Sequence, residues 1–241
     1  MAGLNSKISI IIVTYNAADT LQKCLDSIYS QAYPDIEIVV IDGDSADATK
    51  SILQKNSQHI AYFKSEPDNG IYDAMNKALK HITGQWLYFL GADDELLPDF
   101  SKFADKVTDS TAIYYANVLH NGVKRSGQVS AYYMAKVGIY HQAIIYPKAV
   151  FERYHYDTKY KIAADYALNM HCFKDKTFHF VYHDIIIARY NHIGISATVA
   201  DELFERDKAK LILDNFGFKI WLRFAFRLIK GLLRKNKTVK D

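Results

Sequence analysis

Two adjacent carboxylates, Asp93 and Asp94, stand at the end of the apolar run Trp86-Leu87-Tyr88-Phe89-Leu90. A short unbroken apolar run predicts a buried strand. Acids at its carboxyl end cost free energy unless a cation meets them. A hard divalent ion carrying a diphosphate is the chemistry that suits them. The plainer alternative for a lone Asp-Asp is a polar loop leaving a core strand. Three other segments bear on the choice. One apolar run ends in Thr14-Tyr15-Asn16, a second in Asp42-Gly43-Asp44-Ser45, and a third leads into Glu66-Pro67-Asp68-Asn69-Gly70. If these runs are parallel strands, Asp42, Asp44, Asp68, Asp93 and Asp94, with Glu66, lie along one edge and repel one another without a cation. Neither Gly-x-Gly-x-x-Gly nor Gly-x-x-x-x-Gly-Lys occurs, which argues against a dehydrogenase or a P-loop ATPase. Acids in place of a glycine-rich loop point to a diphosphate held through a metal.

The elements that position these residues alternate. Ile8–Thr14, Ile36–Ile41, Ile60–Lys64 and Trp86–Leu90 are strand-like runs. Between them, Ala18–Gln31, Ala46–Gln58 and Gly70–Ile82 carry apolar residues at helical spacing, with Leu21, Leu25 and Ile28 in the first and Ile71, Met75, Ala78, Leu79 and Ile82 in the last. This pattern predicts an α/β fold with a mostly parallel sheet flanked by helices. Ligands in such sheets bind beyond the carboxyl ends of the strands. Past residue 110 the pattern loosens. Ala112–Leu119, Ala143–Tyr146, Phe178–Tyr182 and Ile185–Tyr190 are expected strands, Asn121-Gly122 a hairpin turn, and Ala163–Cys172 a helix.

The chain has 241 residues, of which 49% are hydrophobic and 18 are tyrosine, enough for one domain with a sizeable core plus an appendage. Cys24 and Cys172 have no metal-ligand spacing, and no signal peptide is apparent, so both are expected as reduced core residues of a cytoplasmic protein. Charge is unevenly spread. Residues 219–240 hold eight Lys/Arg and no acid, so the other 22 Lys/Arg face all 27 Asp/Glu and the remainder carries −5.

Ile10-Ile11-Ile12-Val13-Thr14-Tyr15-Asn16, Ile38-Val39-Val40-Ile41-Asp42-Gly43-Asp44-Ser45 and the Asp93-Asp94 turn resemble the family 2 glycosyltransferases of GT-A fold. Ser65-Glu66-Pro67-Asp68-Asn69-Gly70-Ile71-Tyr72-Asp73-Ala74-Met75-Asn76-Lys77-Ala78, with His141-Gln142-Ala143 and Ala164-Asp165-Tyr166-Ala167-Leu168, narrows the resemblance to the bacterial exopolysaccharide, colanic-acid-type subgroup. It implies a Rossmann-like GT-A domain over residues 1–200 and an inverting, metal-dependent hexosyltransferase that uses a UDP- or GDP-sugar. The acceptor would be a saccharide, lipid-linked in surface polysaccharide synthesis. By the same resemblance Thr14, Tyr15 and Asn16 lie against the nucleotide, Asp42 hydrogen-bonds the base, and Asp44 and Asp68 belong to the donor site. Asp94 ligates Mg²⁺ or Mn²⁺ with Asp93 beside it, and Asp165 is the general base. Gly91 departs from the pattern, since many members carry an acid there. His141, Gln142 and Tyr166 are candidate sugar or acceptor contacts. His183 and His192 flank the last strand and are each more simply ordinary polar neighbours than metal ligands. Tyr132, Tyr133 and Tyr140 are candidates for stacking on a sugar ring, or equally for hydrophobic cover. Without the resemblance, Asp165 would be a helix cap or an exposed helix acid.

The segment 201–241 is a basic amphipathic appendage. On a helix, Arg223, Arg227, Lys230 and Arg234 line one face and Trp221, Phe224, Ala225, Leu228 and Leu232 the other. Residues 218–237 are therefore expected to lie in an anionic membrane surface on the inner face of the cytoplasmic membrane. Packing on the body or on a second subunit, as a homodimer, is the alternative. No nucleic-acid motif accompanies the charge, and nucleic acid is not an expected partner. Two rival functions share the fold: a nucleotidyltransferase, which needs a basic glycine-rich loop that residues 12–18 lack, and a non-catalytic nucleotide-sugar-binding partner in an assembly complex.

Overall fold

The computed structural model describes residues 6–191 and 200–238, with side chains of the last helix as far as residue 231. Runs rich in β-branched residues form strands β1 (Ile8–Thr14) and β2 (Ile36–Asp42), and aromatic-rich runs form β3 (Tyr62–Ser65) and β4 (Trp86–Gly91). All four are parallel, in the order β3-β2-β1-β4. The intervening helices are α1 (Leu21–Tyr29), α2 (Thr49–Lys55) and α3 (Ile71–Ala78). Their apolar stripes are buried, Leu21, Cys24, Leu25 and Ile28 in α1 and Tyr72, Ala74, Met75 and Ala78 in α3. The register pairs Thr14 with Asp42, Asp42 with Ser65, and Val13 with Gly91. The carboxyl ends of the four strands therefore finish level, which brings their turns to one edge.

The second half of the chain completes the sheet with mixed directions. It contains β5 (Glu95–Leu96), α4 (Asp99–Ala104), β6 (Ala112–His120), β7 (Val123–Arg125) and α5 (Ala131–Lys136). A 3-10 turn at His141–Ala143, β8 (Ile144–Pro147), α6 (Lys148–Arg153), α7 (Ala164–Lys174) and β9 (His179–Tyr190) follow. The sheet runs β3-β2-β1-β4-β8-β6-β9-β5, with β7 paired to β6. β8 is antiparallel to β4 and to β6, and β9 is parallel to β6. The two strands expected at 178–182 and 185–190 are a single strand, β9. The polar break between them, His183-Asp184, is a bulge where the register against β6 slips around Asn117. The fully buried Asn117 amide holds that bulge by donating to Asp184 Oδ1 at 2.9 Å and to the Ile185 carbonyl at 3.2 Å.

The appendage expected from residue 201 consists of two helices among the described residues. α8 (Glu202–Phe216) packs on α7 and sends Phe204 and Ile212 into the core. α9 (Phe218–Thr238) begins against α8 and α5, with Phe224 buried and Ile220 and Trp221 packed on the core. The face expected to meet a membrane, Trp221 with Phe224, is thus turned toward the body. Among the described residues no helix is long and apolar enough to cross a membrane. Cys24 and Cys172 are buried free thiols. His192 and Leu232 lie outside the residues whose side chains are described.

Candidate active site

The turns after β1 and β2 are knitted together before any ligand arrives. Asp42 is fully buried, and each of its oxygens accepts two hydrogen bonds. Oδ1 takes the hydroxyls of Thr14 (2.7 Å) and Ser45 (2.5 Å), and Oδ2 takes the Ser65 hydroxyl (2.6 Å) and the Ser45 N–H (3.0 Å). Burial works against ionisation, but these donors outweigh it and hold the Asp42 pKa below the ordinary carboxylate value. All four acceptor positions are filled, so Asp42 fixes the turn instead of offering a lone pair to a base. Asn16 sits at φ 49°, in the left-handed region that asparagine tolerates, where its side-chain oxygen accepts from Ala46 N at 2.9 Å and its own N–H meets Ser45 Oγ at 2.8 Å. Tyr15 is thereby held at the rim, 71% exposed.

The other strand-end acids separate by partner. Asp44 pairs with Lys50 at 2.6 Å, and Glu66 with Lys64 at 2.6 Å. Asp68 Oδ1 accepts from Gly70 N at 2.8 Å, while its Oδ2 lies 2.5 Å from where a Cβ on Gly43 would be. Gly43 is therefore needed for the close approach of Asp68. Asp93 and Asp94 converge at Gly91, and among the described residues neither has an ion-pair partner.

Asp94 is 1% exposed. Its Oδ1 accepts from the Asn191 N–H at 2.8 Å and its Oδ2 from Gln142 Nε2 at 2.7 Å. Burial, with the neighbouring Asp93 charge adding to it, pushes its pKa up to about 7 against those hydrogen bonds. Asp93 is also raised by burial. A Cβ on Gly91 would stand 2.5 Å from Asp94 Oδ2 and 2.9 Å from Asp93 Oδ1. The space of the acid common in relatives is thus taken by the two carboxylates that follow. Gln142, expected at the sugar, is a positioning residue for Asp94.

These turns open on a cleft of about 740 Å³ lined by Tyr15, Asn16, Asp19, Asp93, Asp165 and Tyr190, among others. A second groove of about 300 Å³, around Lys77, Lys148 and Glu152, holds none of the strand-end acids. Asp93 lines the cleft, and Asp94 lies behind it. Asp165 also lines the cleft; its helix α7 begins at Ala164, and the cap residue is Ala163 with no side-chain cap bond. Asp165 therefore is not the cap. Its Oδ1 accepts from the Tyr72 hydroxyl at 2.6 Å, and the single proton of that hydroxyl is shared with the Ile162 carbonyl at 2.8 Å. Asp201 steadies the loop before α7, since its Oδ2 accepts from Ile162 N (2.8 Å) and Ala163 N (3.2 Å). His141 stacks on Phe89 with centroids 5.1 Å apart, bonds Tyr156 at 2.9 Å, and is kept neutral by burial. Tyr140 pairs with Tyr190 on the cleft wall at 5.5 Å, whereas Tyr132 lies beneath Arg223. Tyr166 gives its ring to the cleft and its hydroxyl to the Ala135 carbonyl at 2.9 Å. His183 stacks on Tyr114, away from the cleft. Tyr72, Asp19, Asn191 and Asp201 were not singled out by the sequence; Tyr72 had a signal, its place in the Gly70–Ala78 segment.

Two carboxylates with free lone pairs and no cationic partner suit a hard divalent ion. Among the described residues no group of three His, Cys, Asp or Glu forms a ready cage. An ion here would draw its other ligands from a substrate diphosphate and water, as magnesium commonly does.

Comparison with known proteins bears on the same cleft. The model of the Glycosyl transferase family 2 matches residues 9–183. A PGL/p-HBAD biosynthesis glycosyltransferase of Mycobacterium tuberculosis is 35% identical over 208 residues, covering 81% of each chain. The GalNAc(5)-diNAcBac-PP-undecaprenol beta-1,3-glucosyltransferase of Campylobacter jejuni is 33% identical over 135 residues, 54% of this chain and 43% of that protein. Among solved structures, S. aureus TarS residues 1–349 superimposes with a TM-score of 0.69 at 20% identity, covering 87% of this chain and 66% of that one. The mannosyltransferase PcManGT of Pyrobaculum calidifontis, in complex with GDP-Man and Mn²⁺, gives 0.64 at 20% identity, covering 87% and 63%. The chain thus spans just under two thirds of these solved structures, and the likeness concerns the GT-A fold.

Proposed function

From the premise that this chain belongs to glycosyltransferase family 2, we propose that it moves a sugar from a UDP- or GDP-sugar to a saccharide hydroxyl with inversion, on a lipid-linked acceptor in bacterial surface glycan synthesis. The observation that carries this reading is one cleft lined by both Asp93 and Asp165. The nucleotide would lie over the Thr14–Asn16 turn that Asp42 and Ser45 hold rigid, with Tyr15 against the base. Asp44 and Asp68 sit at the outer end of that donor site. Asp93 and Asp94 would hold Mg²⁺ or Mn²⁺, which when bound neutralises the departing diphosphate. Asp165 accepts the proton of the acceptor hydroxyl as its oxygen bonds to the anomeric carbon and the bond to the diphosphate oxygen breaks. Tyr72 holds the Asp165 carboxylate in place through its hydroxyl. A single base opposite the leaving group suits one displacement, hence inversion. A glucosyltransferase for an undecaprenol-linked substrate among the relatives supports a lipid-linked acceptor.

The test is a screen of sugar nucleotides for thermal stabilisation with Mn²⁺ and with chelator, followed by transfer to simple saccharide acceptors with the stabilising donor. A ligand bound only by the folded state at 100 times its Kd raises stability by about 2.7 kcal/mol. Stabilisation without any transfer or donor hydrolysis would favour the non-catalytic binding partner. Release of diphosphate from a nucleoside triphosphate and a sugar phosphate would favour the nucleotidyltransferase.

A further inference from the structure

α9 carries two apolar stripes, and the body covers only one of them. Phe224 is buried, and Ile220 and Trp221 pack on the core. The second stripe, Phe218, Leu222, Phe226 and Ile229, faces outward with exposures of 63%, 38%, 64% and 53%. Steps of four, four and three residues put these side chains on one helical face. Each is followed directly by a cation: Lys219, Arg223, Arg227 and Lys230. A positive row therefore runs alongside the apolar stripe. Among the described residues none of the four cations has an acidic partner. Arg223 is held over the Tyr132 ring of α5, 3.8 Å from its centroid.

α5 links this face to the cleft. It packs on α9, and Val137, the residue after its end, is 46% exposed and also lines the cleft. Tyr133, on the same side of α5 as Val137 by its four-residue spacing, is 39% exposed. We propose that the Phe218–Ile229 stripe and its row of cations seat the protein on an anionic lipid surface, with the cleft mouth at α5 beside that surface. The inference rests on the proposed lipid-linked acceptor and adds the face by which the enzyme meets it. Charge decides the occupant. A second copy packed face to face would set one positive row against another with no acids between. A nucleic acid would meet the cations and leave the bulky stripe in water. An anionic bilayer takes the stripe among its acyl chains and the cations among its headgroups.

The experiment uses the full chain and vesicles of phosphatidylglycerol and phosphatidylcholine in equal parts, with pure phosphatidylcholine as control. The protein should sediment with the anionic vesicles only, and less so as salt is raised. Arg227→Gln with Lys230→Gln should weaken binding about 25-fold, since each cation near such a surface contributes about fivefold. Leu222→Ser, Phe226→Ser and Ile229→Ser together should weaken it more than tenfold, with unchanged circular dichroism. Trp221 is turned to the body, so the better reporter is Phe226→Trp in a Trp221→Phe background, whose emission should shift to the blue on anionic vesicles. Equal binding by the stripe variant, no preference for anionic vesicles, or a dimer that the stripe variant converts to monomer would each overturn the inference. Transfer to a soluble acceptor, measured without vesicles, should be the same in all these variants. Its absence from the unaltered protein would count against the proposed activity and leave the vesicle result to be judged separately.

Discussion

Asn in place of Asp94 should stabilise the metal-free protein at pH 8 and leave it little changed at pH 5. The Asp94 carboxyl is 1% exposed and, among the described residues, meets two donors and no cation, and burial lifts its pKa from 3.8 to about 7. The folded state therefore keeps a proton that the unfolded chain releases between about pH 4 and pH 7. Stability from this group is fully present below the lower value and is lost as pH rises through the upper one. A rise from 3.8 to about 7 is equivalent to about 4 kcal/mol at the alkaline end. Asn removes the charge but presents an NH₂ to either Gln142 or the Asn191 N–H, both of which are donors, at a cost of about 1–3 kcal/mol. The net gain at pH 8 is about 2 kcal/mol, or about 4–8 °C in Tm for a chain of this size. The assay is thermal unfolding in chelator from pH 5 to 8.5, with and without added Mn²⁺. Mn²⁺ should raise the Tm of the unaltered protein at pH 8 and not that of the variant. A difference between the two proteins that does not change with pH, or a variant less stable at pH 8, would refute the claim that Asp94 is an uncompensated buried charge.

Other outcomes follow from the same geometry. Asp165→Asn should lower kcat by about 10²-fold or more with donor affinity unchanged, as measured by titration calorimetry beside steady-state rates. Tyr72→Phe removes the 2.6 Å hydrogen bond that orients the Asp165 carboxyl; kcat should fall while donor affinity and Tm stay the same, and an unaltered kcat would assign Tyr72 no positioning part. Gly91→Ala places a Cβ 2.5 Å from Asp94 Oδ2 and 2.9 Å from Asp93 Oδ1, so metal-dependent nucleotide affinity should fall about tenfold while affinity in chelator stays the same.

The parallel half of the fold was legible because its signal is local. Unbroken runs such as Ile8–Thr14 and Ile36–Asp42 are buried on both faces, so each strand declares itself without knowledge of its neighbours. The mixed half depends on pairings far apart in sequence. β5 is two residues long and exists because Glu95 and Leu96 pair with Arg189 and Ala188. β9 looked like two strands because His183-Asp184 interrupts its apolar pattern, and only the amide of Asn117, over sixty residues earlier, shows that interruption to be a bulge. The helical period of α9 was equally plain, but periodicity does not say which of two bulky stripes the body covers. Trp221 and Phe224 were taken by the body, and Leu222 and Phe226 were left to the outside.

The strand-end acids show why a site is harder to read than the fold that carries it. As types they are alike, and their sequence spacing puts them all at one edge. Their separate fates depend on what each meets across the sheet. Asp42 finds three hydroxyls and an amide N–H, Asp44 and Glu66 find lysines, and Asp68 closes its own turn. Carboxylates engaged in this way shape the turns around the cleft. Among the described residues neither Asp93 nor Asp94 has an ion-pair partner, and the distant segments that reach Asp94 supply neutral donors, Gln142 and the Asn191 N–H. That unmet charge, at a cleft that Asp165, held by Tyr72, also lines, is the local conflict with stability that marks a place kept for binding. A cation would relieve it, and a diphosphate that completes the cation's ligands would hold it there, so occupancy of the donor site and stability of this edge should rise together.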